Sequence, residues 1–458
     1  MSTTLVDRST VPGPGPLRPF SFPPIDHLTL TNGLPVLYAR TDGVPVVTFS
    51  LLIPAGGIRE QREDAGLATL TGSLLESGTL RLDAPTIAQR LEKLGVRVHV
   101  GSSWEVSHVD FTALADRAAA AAELIAELVR EPSFPAGEVE RLRNEQLASI
   151  VQRRAEPRGL ANEAAARFIF SEDTPFSRPL TGTARTVSAL DRDEIASFHA
   201  RNFTPQGAAL VVAGNADPAT VRDIAESSFG SWSGGEPESA AGPVFPRTDG
   251  PQVVVVERPG AVQSEIRVGH IGVPRKVPDY FQILVMNTIL GGAFSSRLNL
   301  NLRERHGFTY GVSSGFVMRR KPGPFIVSTA VQTEVTGRAV SEILFELRRI
   351  REGDVTDAEL SDARQYVAGT FPLRLQTTDG VASRLAELAI YDLPDSYLAD
   401  FAERILAVSA DEVVTAARQH VEPDRLTVLV VGDPEHVRPQ LEALGIGQTV
   451  SIRPEEME

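Results

Sequence analysis

The segments NFTPQGAALVVAGNADPATVRDIAESSFG, residues 202–230, and HVEPDRLTVLVVGDPEHVRPQLEALG, residues 420–445, carry one pattern twice. In the first, 207–213 is an unbroken apolar run of strand length, Asp217 and Pro218 open a helix, and Gly230 closes it. The second repeats these features in the same order, and Pro205 falls on Pro423 and Gly214 on Gly432 at one offset of 218 residues. Upstream, Asp193-Glu194 meet Asp411-Glu412 at the same offset, and Val36 to Arg40 meet Val254 to Arg258. A single match carries little weight; several at one offset predict two tandem domains of the same fold.

Working outward, strands are expected at 34–39, 44–53, 96–100 and 105–114, and helices at 67–76, 84–94, 117–130, 136–153 and 192–199. Hairpin-like strand pairs beside segregated helices predict an α+β fold, each domain a mostly antiparallel sheet with helices packed on one face. Residues 232–252, WSGGEPESAAGPVFPRTDGPQ, predict a flexible Gly/Pro-rich linker between the domains. A chain of that length reaches roughly 25 Å, enough to set two domains face to face. The expected organisation is an extended N-terminal arm at 1–24, an N-terminal domain at 25–231, the linker at 232–252 and a C-terminal domain at 253–458.

The bulk properties agree with two globular domains and exclude several functions. A chain of 458 residues exceeds one ordinary core, and 42% hydrophobic with 23% charged residues is the composition of a soluble globular protein. A net charge of -14 disfavours nucleic acid and anionic membranes as partners. The absence of cysteine rules out disulfides, thiolate zinc sites and cysteine nucleophiles. The first residues lack the apolar centre of a secretory signal and no 18-residue apolar run occurs, so a cytoplasmic location is expected.

Chemistry concentrates in residues 279–316, DYFQILVMNTILGGAFSSRLNLNLRERHGFTYGVSSGF. Residues 280–290 are apolar nearly all round, which predicts a buried helix stopped by Gly291-Gly292. A second helix is expected from about Ser295 to Gly307, placing Arg303 on its last turn and Tyr310 near the start of the next strand. Both residues are expected to reach one polar site. Chemistry alone leaves the choice open, because an arginine also suits a helix C-terminus and a strand tyrosine also suits a core. A cluster of His99 and His108 with Glu105 or Asp110 has the composition of a two-His, one-carboxylate metal site, but placement on separate strands is expected to part the two histidines. No GxGxxG, P-loop, G-x-S-x-G or EF-hand pattern is present.

The runs AGLATLTGSLLESGT, residues 65–79, and LGGAFSSRLNLNLRERHGFTYGVSS, residues 290–314, resemble the pitrilysin/insulinase family of zinc peptidases, the inverzincins. In that family a helix of the first domain carries His-x-x-Glu-His, two histidines for zinc and a glutamate that polarises the metal-bound water. The matching register puts Thr69 and Ser73 at the histidine positions and Gly72 at the glutamate. None of the eight histidines lies within four residues of another, so no shift of register restores the motif. The family's third ligand would fall about Ser149 or Ile150, with Glu145 and Glu140 near but out of step. The Arg303 and Tyr310 pair, by contrast, stands at the family spacing for residues that contact substrate.

The resemblance therefore implies a non-catalytic subunit of a heterodimeric zinc metallopeptidase. Its cofactor, zinc, would belong to a homologous catalytic partner, with no metal in this chain. Arg303 and Tyr310 would serve the partner's active site during peptide hydrolysis. The alternative implied by the same resemblance is a structural scaffold or complex-assembly protein derived from the peptidase fold.

Overall fold

A computed structural model describes residues 15, 20–239 and 242–457; most of the expected arm at 1–24 lies outside these. Twelve strands form two six-stranded sheets among the described residues. The first holds β1 (Ile25–Thr29), β2 (Pro35–Arg40), β3 (Val46–Ile53), β4 (Val98–Ser102), β5 (Ser107–Leu114) and β6 (Ala209–Gly214), in the order β1-β2-β6-β3-β5-β4. The second holds β7 (Gln252–Glu257), β8 (Gln263–Ile271), β9 (Val312–Phe316), β10 (Pro324–Gln332), β11 (Thr427–Gly432) and β12 (Gln448–Ile452), in the order β12-β7-β11-β8-β10-β9.

The repeat is structural: β6 and β11, and the helices Arg192–Asn202 and Ala410–His420 before them, coincide residue for residue at the sequence offset. Only the outer edge departs from the plan. In the first sheet the strand beside β2 comes from upstream and runs antiparallel, whereas in the second the strand beside β7 comes from the chain's end and runs parallel. With β2 parallel to β6, and β7 parallel to both β11 and β12, the sheets are mixed, while most pairings in each are antiparallel, as the hairpins predict.

The expectation of helices on one face is corrected. One face of the first sheet, with Val36, Tyr38, Phe49 and Val212, packs on the helices Ala118–Arg130 and Pro218–Phe229 from its own half. The other face, with Leu37, Ala39, Val211 and Ala213, is covered by Val381, Ala382 and Leu385 of the helix Thr378–Tyr391, which belongs to the second half. The second sheet mirrors this: Val254, Val256, Leu429 and Val431 pack on Leu160, Ala164 and Phe168 of the helix Pro157–Ile169 from the first half. Each half thus lends a helix to the other's sheet. This is why β6 and β11 read as continuous apolar runs: every residue of both is buried, as in strands covered on two faces.

Residues 232–252 contain no helix or strand before β7 among the described positions, yet they are not a free tether. Pro246 bridges to Phe170, the Ser171 N–H donates to the Phe245 carbonyl at 2.9 Å, and Val244 packs against the cluster of Phe170 and Phe176. These contacts with residues 170–176 pin the crossing.

Candidate functional site

The stretch that resembles the zinc motif is the short helix Leu67–Ser73. Gly66, with φ of 99°, opens it in the left-handed region, where a Cβ would also lie 2.8 Å from the Thr181 carbonyl oxygen. The buried Glu60 carboxyl accepts from the N–H of Ala68 at 2.7 Å and of Gly66 at 3.3 Å. Burial is the dominant influence on Glu60 and pushes it up to about 8, despite those bonds and Arg178 3.8 Å away.

At the motif positions themselves the chain uses its polar atoms internally. Thr69 donates its hydroxyl to the Leu180 carbonyl at 3.3 Å, and Ser73 donates back to the Thr69 carbonyl at 3.0 Å. Gly72 is buried, and a Cβ there would stand 3.3 Å from Ser102 Oγ. From the helix Ala136–Ala155, where a third ligand would arise, Ile150 turns inward and Ser149 outward. Glu145 pairs with Arg141 at 3.3 Å, and Glu140 is exposed. The residue from this helix that reaches the motif is Gln146, whose amide donates to the carbonyls of Gly66 and Thr181 at 3.2 and 2.9 Å. Sequence reasoning passed over it; its only signal is its place on the inward stripe with Val139 and Ile150.

His99 and His108 are not parted by strand alternation as expected. In the β4–β5 register His99 faces Asp110 and Gly101 faces His108, so the two histidines lie diagonally on one face with ring centroids 5.7 Å apart. Burial lowers the pKa of His108, opposed by Asp110 at 3.7 Å. Among the described residues no three His, Cys, Asp or Glu side chains are placed to hold a metal ion.

The second candidate stretch is wound more tightly around β9 than expected. The helix Tyr280–Asn287 continues as a π-helical turn, Thr288–Gly292, and a further π-helical turn, Leu300–Arg305, follows the single turn Arg297–Asn299. Gly291 is required by close approach rather than as the helix stop: a Cβ there would meet Ser314 Oγ at 2.4 Å. Asn299 staples the segment to β9, donating to the Val312 carbonyl at 2.8 Å and accepting the Val312 N–H at 3.1 Å. Gly307, at φ of 64°, ends the second turn, with its N–H donating to the Arg303 carbonyl at 3.0 Å.

These bonds fix where the two residues stand. Tyr310 is in the loop just before β9, 95% exposed, while the Thr309 and Thr329 hydroxyls hold the main chain of Gly311 beside it. Its ring lines a cavity of about 740 Å³ together with Phe294, Arg158, Asn162, Glu265 and Arg267. Arg303 is outside that lining: its guanidinium stacks 4.2 Å over the Phe294 ring, and its Nε lies 3.4 Å from Glu304. Phe294 therefore connects the pair, with Tyr310 at the cavity and Arg303 behind its rim. Deeper in, buried Arg267 donates to Asn162 at 2.8 Å and to Glu265 at 2.9 Å. The exposed phenol is free to donate to an oxygen supplied from outside the chain.

Comparison with known proteins bears on the family and the fold. The model for the insulinase (peptidase M16) family matches residues 35–183, and the model described as the peptidase M16 inactive domain matches residues 189–367. A non-peptidase homolog of Helicobacter pylori is 25% identical over 411 residues, 87% of this chain and 92% of that protein. An uncharacterized zinc protease of Mycobacterium tuberculosis is 26% identical over 410 residues, 88% of this chain and 92% of that one. Among solved structures, the peptidase M16 inactive domain from Pseudomonas fluorescens superposes with a TM-score of 0.84 at 24% identity, covering 89% of this chain and 98% of that chain. Two matched halves, a duplicated α+β fold and a motif helix emptied of ligands lead to one conclusion: the chain belongs to the insulinase (M16) family, as a non-catalytic member.

Proposed function

We propose that this chain is the non-catalytic subunit of a heterodimeric zinc peptidase, with lobes at 25–231 and 253–458, working in the cytoplasm beside a homologous subunit that holds the zinc. The observation that carries the reading is Tyr310: a phenol 95% exposed at the edge of a polar cavity, with no acceptor among the described residues. Hydrolysis at zinc builds negative charge on the peptide carbonyl oxygen, and a hydroxyl aimed there binds more strongly as that charge grows. Arg303, steadied by Phe294, supplies a planar fork of donors for a neighbouring peptide carbonyl or carboxylate. The hydroxyls of Thr69 and Ser73 are turned to main-chain carbonyls, which suits a helix that has no metal to serve.

The test is reconstitution. Purified alone, the chain binds no stoichiometric zinc and cleaves no peptide; mixed with a homologous zinc-binding subunit it raises turnover. Tyr310→Phe then lowers turnover by about 100- to 1,000-fold, the usual effect of one lost oxyanion donor, and the dimer stays intact on size exclusion. Arg303→Ala acts in the same direction. Full turnover by both variants in an intact complex refutes the catalytic contribution and leaves the scaffold reading, in which the fold assembles with partners without touching substrate.

A further inference from the structure

Two cavities share a wall on the helix Pro157–Ile169. One is the Tyr310 cavity; the other, about 440 Å³, lies between this helix, the 176–181 segment and the β9–β10 hairpin loop, and Arg158 and Asn162 line both. The smaller one is rich in cations, with Arg153, Arg158, Arg178 and Arg319 against Glu156 and Glu163. Of its two lining carboxylates Glu163 is committed elsewhere, and the neighbouring Glu60, outside the lining, adds little charge. Glu163 is held by Arg154 at 2.6 Å, and Glu60, 3.8 Å from Arg178, is pushed up to about 8 and is mostly uncharged at neutral pH. A positive hollow of this kind stands out in a chain of net charge -14.

Three of the guanidiniums have unused donors. Arg158 is exposed and makes no hydrogen bond or ion pair among the described residues. Arg178 Nε and Arg319 Nη1 are buried N–H donors with no acceptor, which costs free energy unless an acceptor arrives. Arg319 is also held in place, its guanidinium 4.2 Å from the Phe176 ring centroid and 5.3 Å from that of Trp104. Burial lowers it to about 10, so it stays charged at neutral pH. Convergent guanidiniums in a cavity of this size fit an oxyanion carried on a small ligand.

We propose that the arginine-lined cavity is an anion subsite that seats the free C-terminal carboxylate of a short peptide, with Arg158 at the junction directing the rest of the peptide toward Tyr310. This rests on the reading of the Tyr310 cavity as peptide-binding, but not on the existence of a catalytic partner. The subsite selects substrates by their chain end: short peptides with a free C-terminus bind, and internal segments of long chains do not gain the same contact.

The experiment uses the full chain alone and follows the fluorescence of Trp104, which lines the cavity, while Trp232 is buried in the core. The probes are an acetylated Ala/Gly pentapeptide as the free acid, the same peptide as the C-terminal amide, and inorganic phosphate. The free acid binds about tenfold or more tightly than the amide, the scale of one charged hydrogen bond. Arg158→Gln, an exposed position, abolishes that preference with unchanged circular dichroism, and Arg319→Gln does so if it folds. Equal affinity for acid and amide, or binding of neither, overturns the proposal. Phosphate binding at the same strength and displacing the acid makes this a free-phosphate site and overturns the peptide assignment. An acid preference with no gain of turnover on reconstitution removes the peptidase reading alone; restored turnover without acid preference removes only the subsite.

Discussion

Glu60 shows how a single buried residue holds the helix that stands where the family's zinc motif would be. Its carboxyl caps the helix Leu67–Ser73 from a fully buried position, and the desolvation it suffers exceeds the help from two main-chain N–H groups and Arg178. With a native value of about 8 against an ordinary 4.5, the folded chain keeps a proton that the unfolded chain has lost between those pH values. Stability from this group is therefore present at low pH and declines as pH rises toward 8. Glu60→Gln keeps an acceptor and removes the titration. The melting temperature of wild type minus that of the variant falls between about pH 5 and pH 9 by calorimetry; a flat difference contradicts the assignment. At this scale the sequence was informative about what is missing, since Thr69, Gly72 and Ser73 are legible as non-ligands by side-chain chemistry alone. It was silent on Gln146, because a glutamine on a charged helix looks like any exposed one until burial is known.

At the scale of elements, the exchanged helices organise the molecule. Pro157–Ile169 was not anticipated, since its Pro-Arg-Gly opening imitates a turn and its alanines give little periodic contrast. Thr378–Tyr391 occupies the corresponding place on the first sheet, with Leu385 fully buried there. Leu385→Ala costs about 2–5 kcal/mol, as for other leucines deleted from closed cores. Both tryptophans, Trp104 and Trp232, are in the first half, so their fluorescence reports on that half and, through Arg319 over the Trp104 ring, on its contact with the second. Because Leu385 contributes to the core beneath the first sheet, the fluorescence transition in denaturant shifts by the same amount as the far-ultraviolet circular dichroism. A shift in dichroism with unmoved tryptophan fluorescence means that the helix does not stabilise the first half. Arg303 and Tyr310 were placed well by local signals, a helix end and a strand start; the π-helical turns around them were not legible, because they arise from the fit of Gly291 and Asn299 to β9.

For the whole molecule, the consequence is that neither half is complete. A first half expressed alone would expose Leu37, Ala39, Val211 and Ala213, and a second half alone would expose Val254, Val256, Leu429 and Val431. Apolar faces of that kind do not persist in water. Residues 20–239 and 242–457, the two described segments, produced as separate chains in one cell, therefore co-purify in equal amounts. Either chain alone self-associates or fails to stay in solution, as size exclusion with light scattering reads directly. Two well-behaved separate monomers contradict the exchange of helices.

The duplication, the class of fold and the loss of the zinc motif followed from the sequence by itself, because each depends on residue identity and local periodicity. A repeat at constant offset, an apolar run of strand length and the absence of two imidazoles and a carboxylate from the motif positions need no knowledge of distant contacts. Which helix covers which face, whether 232–252 swings or is pinned, which strand closes each sheet's edge, and how Arg158 comes to stand between two cavities were decided only in the tertiary structure. Those features depend on where apolar surface from one half finds surface to bury in the other, and pairing between residues hundreds of positions apart leaves no mark in the pattern of either segment.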